Sequence, residues 1–407
     1  MADTVTTRPD VDLLDPQFHV GDPHPAYAWM RRHEPIYRDR NGVWCITRME
    51  HLRHVERHAA DFVSSRGYRS VWFPDETAMI ARDDPGHQAQ RKLISDMFTP
   101  RAVGALEDEI RGFVTDCLAA TRGVDRLEVV DTIAGRLPAL TTCRLLGWPL
   151  AHWRDVKSWS ERLMRVDTLH RDPMQMSDAI RAVHEMAALT APSIEERRGC
   201  PAGDVLGRWA NASLEGSPMS LAQINSELGL VVPGGAETTR TTLGRSLILL
   251  SERNDLWEAM AADPATIPTA VEELLRWVTP LNNMFRTAAA DVEVDGVRMA
   301  AGDRLALVYP SANRDEAWFE NPDEVDIGRD PNPHISFGFG THVCLGAHVA
   351  RLQLRVALEE MPARMTNLRP AAPPIYEANV FVKAVEQFYL AVAPRRRDAP
   401  ANDLPTS

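Results

Sequence analysis

Three glycines, at 338, 340 and 346, bracket a single cysteine, Cys344, within His334–Arg351. The apolar residues that follow, Val349, Leu352 and Val356, fall on one helix face. The pattern predicts a tight loop that delivers Cys344 to a helix N-terminus. Glycine permits close backbone approaches, and a helix start presents unpaired N–H groups and the positive end of the dipole, all of which suit a metal-bound thiolate. One cysteine does not support a zinc or iron–sulfur site, which needs several such ligands, whereas a flat cofactor with one axial thiolate is compatible. The alternative for any lone cysteine is an inert buried thiol.

A second unusual stretch lies inside an apolar-periodic segment from Ser220 to about Leu250. Its centre reads Pro233-Gly234-Gly235-Ala236-Glu237-Thr238-Thr239. Proline removes a helical hydrogen bond and each glycine weakens a helix by about 1 kcal/mol, so the helix is expected to be interrupted here for a functional reason. Gly234 and Thr238 share a face, which would let backbone approach a flat group beside a hydroxyl, while the neighbouring Glu237 is a candidate proton relay.

Further residues gain meaning from their order. His87 and Arg91 are four apart on a predicted helix and point the same way, as residues of a solvated face also would. Glu273 and Arg276 can pair three apart, although an isolated Glu-x-x-Arg is common on exposed helices. Residues 62–82 read as a long apolar loop containing Trp72, Phe73 and Met79, either core or pocket lining. Asn41-Gly42 between apolar runs predicts a hairpin, Val292–Met299 and Arg304–Tyr309 read as strands, and Asn379–Lys383 with Gln387–Val392 suggest another hairpin. Residues 101–215 read as helices broken by Gly123, Gly147, Pro173, Pro192 and the Cys200–Gly203 turn.

Composition bounds the partners. With 45 Lys plus Arg against 57 Asp plus Glu, a net charge of −12 gives nucleic-acid binding no overall electrostatic support. The odd set Cys45, Cys117, Cys143, Cys200 and Cys344 has no close-set motif, and the polar N-terminus carries no leader, so no disulfides and a cytoplasmic location are expected. No run approaches the roughly 18 apolar residues of a membrane span.

The spacing Phe337-x-x-Gly340-x-x-x-Cys344-x-Gly346 resembles the haem-ligand loop of the cytochrome P450 family. The resemblance implies that Cys344 is the axial metal ligand of haem b, with Phe337 and Gly346 in its loop. It places His87, Arg91, Arg286 and His342 against the haem propionates and Gly234 at the oxygen groove, with Glu237 and Thr238 as the catalytic acid–alcohol pair. Pro233 departs from the family's usual small residue. Glu273, Arg276 and Arg329 are implied to form a structural cluster under the haem loop. Trp72, Phe73, Met79, Val231, Leu281, Asn282, Met284, Val380 and Phe381 would line the substrate pocket, beneath a methionine-rich lid at Trp159–Met176 that includes Leu169.

The expected fold is mostly α with small antiparallel β-sheets, the cytochrome P450 fold. The expected organisation is a flexible tail over residues 1–15, one large catalytic domain over 16–394, and a second tail over 395–407. The implied activity is monooxygenation of a bulky apolar small molecule by O2. Tyr27-Ala-Trp-Met-Arg-Arg and Leu275-Arg-Trp-Val-Thr-Pro-Leu-Asn-Asn-Met resemble actinobacterial sterol side-chain hydroxylases, with tailoring of a terpenoid or polyketide, including radical coupling, as the alternative. A haem-thiolate sensor or carrier is the non-enzymatic reading, disfavoured because a sensor needs no Glu237–Thr238 relay. Expected partners are an iron–sulfur ferredoxin and its flavin reductase, docking on Arg91, Lys92, Arg351 and Arg355 of a monomer.

Overall fold

A computed structural model describes residues 7–119, 124–168, 173–200 and 203–394. The helices that build the site are, in chain order, α1 (Met49–Arg57), α2 (Gly86–Lys92), α3 (Trp153–Met164), α4 (Leu221–Glu252), α5 (Ile267–Val278) and α6 (Ala347–Glu360). Apolar side chains of α4 fill the largest core cluster, where it packs on α3 and on helices Arg136–Leu146 and Ala347–Glu360. Ser220 caps it in a reciprocal bond with Gln223, which satisfies two of the N–H groups orphaned at a helix start.

The run Pro233–Thr239 does not end this helix, which is continuous from Leu221 to Glu252. Pro233 deprives the Gly229 carbonyl of its usual donor, but packing on both flanks holds the helical path. Packing likewise carries helix Pro173–Arg197 through Pro192, which therefore does not break it, whereas Gly147 ends its helix at φ 78° as the sequence predicts. Leu169 and Gly123 lie outside the described residues.

Strands β1 (Ile36–Arg38), β2 (Trp44–Ile46), β3 (Phe62–Val63), β4 (Met284–Ala288) and β5 (Arg304–Leu307) form one sheet in the order β1-β2-β5-β4-β3. All neighbours are antiparallel except β2 and β5, which are parallel. Gly42, at φ 81°, turns the predicted first hairpin. The predicted hairpin near the C-terminus does not form. Asn379 instead folds its side-chain oxygen over the Phe381 and Val382 N–H groups, so that segment is a turn and Val382 bridges to Leu281. Tyr389–Pro394 pairs with Met365–Pro370 and Arg126–Glu128.

Part of the expected N-terminal tail is packed. Val11 and Leu13 are buried, and Arg8 bonds Glu34 and Tyr37. Burying two apolar side chains outweighs the entropy that would leave residues 8–15 free. Residues 395–407 lie outside the described residues. Among the described residues, no helix is long and apolar enough to cross a membrane.

Candidate functional site

The Cys344 loop is shaped by contact with α1. Gly338 and Gly340 have φ 71° and 72°, and a Cβ on Gly340 would stand 2.4 Å from the Glu56 carbonyl oxygen, so only glycine fits. The Phe337 carbonyl accepts from the Cys344 N–H at 2.8 Å, which closes the loop just before α6 begins at Ala347. Protein surrounds Cys344 deeply, yet the residue keeps exposed surface, so it faces an opening inside the fold rather than bulk water. Burial pushes its thiol up, opposed by the Gly346 N–H and by Arg91 and Arg351.

The centre of α4 is open in the same sense. Pro233 and Ala236 are buried, but Gly234 and Gly235 are exposed, and a Cβ on Gly234 would meet nothing within 4 Å. Thr238 Oγ1 donates to the Gly234 carbonyl at 2.8 Å. Glu237 does not join it. Its carboxylate is buried, accepts from Arg240 at 2.8 Å, and Arg240 also pairs with Glu161 of α3 at 2.9 Å, which in turn holds Lys157 at 2.7 Å. Burial pushes Glu237 up to about 7 against the pull of Arg240.

A cationic and imidazole group gathers beside the cysteine loop. His87 and His342 stack with ring centroids 4.0 Å apart; His87 Nδ1 lies 3.0 Å from Asp84, and His342 Nε2 lies 3.3 Å from Ser64 Oγ. Burial, then Arg286 and His87, drives His342 down to about 2, so its ring is neutral near pH 7, and burial lowers His87 against the pull of Asp84. Arg286 is buried, donates to the Phe285 carbonyl, and among the described residues has only Glu56, at 3.8 Å, as an anion. Half-buried Arg91 has no ion-pair partner among the described residues. Desolvating a guanidinium without an anion is costly. Arg91, without an ion-pair partner among the described residues, and Arg286, held only loosely by Glu56 at 3.8 Å, therefore fit a planar cofactor carrying carboxylates, with Cys344 as its soft ligand.

The structure brings Glu273, Arg276 and Arg329 together. Arg276 reaches both Glu273 oxygens at 2.8 Å, Arg329 adds 3.1 Å, and the Asp326 N–H and Asn332 amide complete the set. His334 pairs with Glu272 at 3.0 Å, next to Arg351.

The expected pocket residues divide into groups. Leu281, Met284 and Phe381 pack in one cluster with Met164 and Val382, while Phe73, Met79 and Val231 belong to the main core. The Asn282 amide donates to the carbonyls of Asn379 and Val380, and Val380 is buried. Trp72 is 50% exposed, with its indole N–H on the Ser65 carbonyl, and Met174 is 77% exposed.

Sequence reasoning missed three buried contacts. Arg69 binds Asp167 and lies over the Phe381 ring at 4.4 Å, tying the 62–82 loop to the end of α3. Glu161–Arg240 and Glu56–Arg286 are the others. No local spacing signals any of them.

Comparison with known proteins accords with this geometry. The family model described as Cytochrome P450 matches residues 168–364. A steroid C26-monooxygenase of Mycolicibacterium smegmatis is 37% identical, with the match covering 95% of this chain and 97% of that protein. A methyl-branched lipid omega-hydroxylase of Mycobacterium bovis is 31% identical over 89% of each chain. The solved structure of a Mycobacterium marinum cytochrome P450 in complex with pseudoionone superposes with a TM-score of 0.86 at 29% identity, covering 95% of this chain and 100% of that one.

Proposed function

This chain belongs to the cytochrome P450 family and is a haem-dependent monooxygenase, and on that premise we propose that it hydroxylates the side chain of a steroid-like substrate, with Cys344 as the thiolate that would hold the iron of haem b. The observation that carries the site assignment is the pair of desolvated guanidiniums, Arg91 and Arg286, beside the stacked His87 and His342 and the inward-open Cys344. The substrate class follows the relative that matches over 95% of this chain.

When bound, the haem supplies activation of O2 and insertion of one oxygen atom into a C–H bond, with two electrons and two protons consumed. Arg91 and Arg286 would hold the propionates by charge-assisted bonds, with His87 and His342 alongside. Thr238 Oγ1 donates a hydrogen bond to the Gly234 carbonyl, which leaves its lone pairs free to accept a hydrogen bond from the groove side. Glu237, raised to about 7, carries a proton on part of the molecules at neutral pH; passing it to Thr238 requires the carboxyl to turn from Arg240. Leu281, Met284 and Phe381 offer an apolar wall that excludes water and suits a hydrocarbon side chain.

Electrons would come from an iron–sulfur ferredoxin reduced by a flavin reductase, to a monomeric cytoplasmic enzyme. Of the four cations expected to dock it, Arg351 is occupied by Glu272 and Arg355 by Glu107 and Glu359. Arg91 and Lys92 are left without ion-pair partners among the described residues, and of these Lys92 is exposed.

Titrating the holoenzyme with steroids, terpenoids and aromatic metabolites tests the substrate class. A spin-state shift tightest for steroids, with side-chain hydroxylation detected by mass spectrometry, is expected. A shift confined to terpenoids or aromatics would sink the steroid assignment.

A further inference from the structure

Glu56 is an acid where packing alone would favour an apolar residue. It sits on α1 with 2% of its side chain exposed, and it touches three elements at once. Oε1 accepts from the Tyr309 hydroxyl at 2.8 Å and lies 3.8 Å from Arg286 Nη2 on β4, and the Phe339 backbone of the cysteine loop favours the ionised carboxylate. A Cβ on Gly338 would come within 3.2 Å of Oε1, and the Glu56 carbonyl occupies the space that Gly340 leaves empty. Oε2 is buried without a hydrogen-bond partner among the described residues. Burying a carboxylate with one bare oxygen costs stability that an apolar side chain would not forfeit.

We propose that Glu56 is a positioning residue for the haem site: it holds Arg286 and the glycine turn of the Cys344 loop in register, and its charge sets the reduction potential of the bound haem. The proposal rests on the haem-thiolate reading above. Arg286 is the guanidinium assigned to a propionate, so an ionised Glu56 competes with that propionate for the same cation. Each added negative charge near the haem favours the more positive, oxidised iron, so ionisation of Glu56 lowers the potential and reduction of the haem strengthens its hold on a proton. The groups facing Glu56 are Arg286 from β4, the Tyr309 hydroxyl from the segment after β5, and the Phe339 backbone from the loop; burial outweighs them and pushes the carboxyl up to about 7. The charge therefore changes in the working pH range.

Spectroelectrochemical titration of the holoenzyme across pH 5.5–8.5, a window of about one and a half units either side of that value, tests this. The wild-type potential is expected to fall with rising pH. Glu56→Gln keeps the shape and an oxygen acceptor without the charge, so it is expected to match wild type at low pH, to stay higher at high pH, and to retain the red-shifted Soret band of its reduced carbon monoxide complex. Tyr309→Phe removes a donor to the ionised form, so the midpoint of the pH dependence is expected to move to higher pH. Parallel titrations of wild type and Glu56→Gln, or an unmoved midpoint in Tyr309→Phe, overturn the proposal. A wild-type protein that lacks the Soret band overturns the haem-thiolate reading itself, and the role of Glu56 with it.

Discussion

Thr238 and Glu237 are adjacent in the chain but serve different surroundings. Thr238 faces the open turn of α4, whereas Glu237 is turned into an ion pair with Arg240 and, through it, Glu161 of α3. If Thr238 conducts protons in the groove, Thr238→Ala uncouples electron use from product. The ratio of product formed to reductant consumed should drop several-fold with substrate affinity retained, and an unchanged ratio removes Thr238 from the proton path. Glu272 supplies a pH prediction. Burial opposes its ionisation, but hydrogen bonds from His334 and Arg351 win and hold its carboxyl down to about 2, below the ordinary 4.5. Its stabilising contribution is present above pH 4.5 and lost as pH falls toward 2. Thermal unfolding of Glu272→Gln should accordingly show a smaller loss of stability over that acid interval than wild type, and identical acid profiles would assign the effect elsewhere.

At the scale of elements, the buried Glu273–Arg276–Arg329 cluster fastens α5 to the segment before the cysteine loop. Removing one partner leaves an uncompensated buried charge, so Glu273→Ala should destabilise by roughly 3–5 kcal/mol, read by chemical denaturation of the holoenzyme. Gly340→Ala places a Cβ against the Glu56 carbonyl at a left-handed torsion, and haem content after purification should fall sharply. The glycine loop, the Glu273–Arg276 pair and the open face of α4 at Gly234 were legible because each is written within a few consecutive residues. Arg69 and Asp167 lie 98 positions apart, and Glu56 and Arg286 are further apart still, so no periodicity or local motif could pair them. The persistence of α4 through Pro233 was illegible for a related reason. Helix propensity is local, but the packing on both flanks that overrides it is not.

Across the whole molecule, ion pairs tie distant parts of the chain together, and the proposed partner face must be found among the cations they leave free. Because Arg351 and Arg355 are already matched with acids, Lys92→Glu should raise the KM for ferredoxin with little change in kcat, while Arg355→Gln should alter stability more than KM. Equal effects of both on KM would restore the broader docking face. The account as a whole rests on Cys344 as the thiolate of a bound haem, and the absorption spectrum of the reduced, carbon monoxide-bound protein tests that most directly. Wild type is predicted to show the red-shifted Soret band of thiolate ligation and Cys344→Ala to lose it. A wild-type protein without the band, or a Cys344→Ala protein that keeps it, would contradict the account.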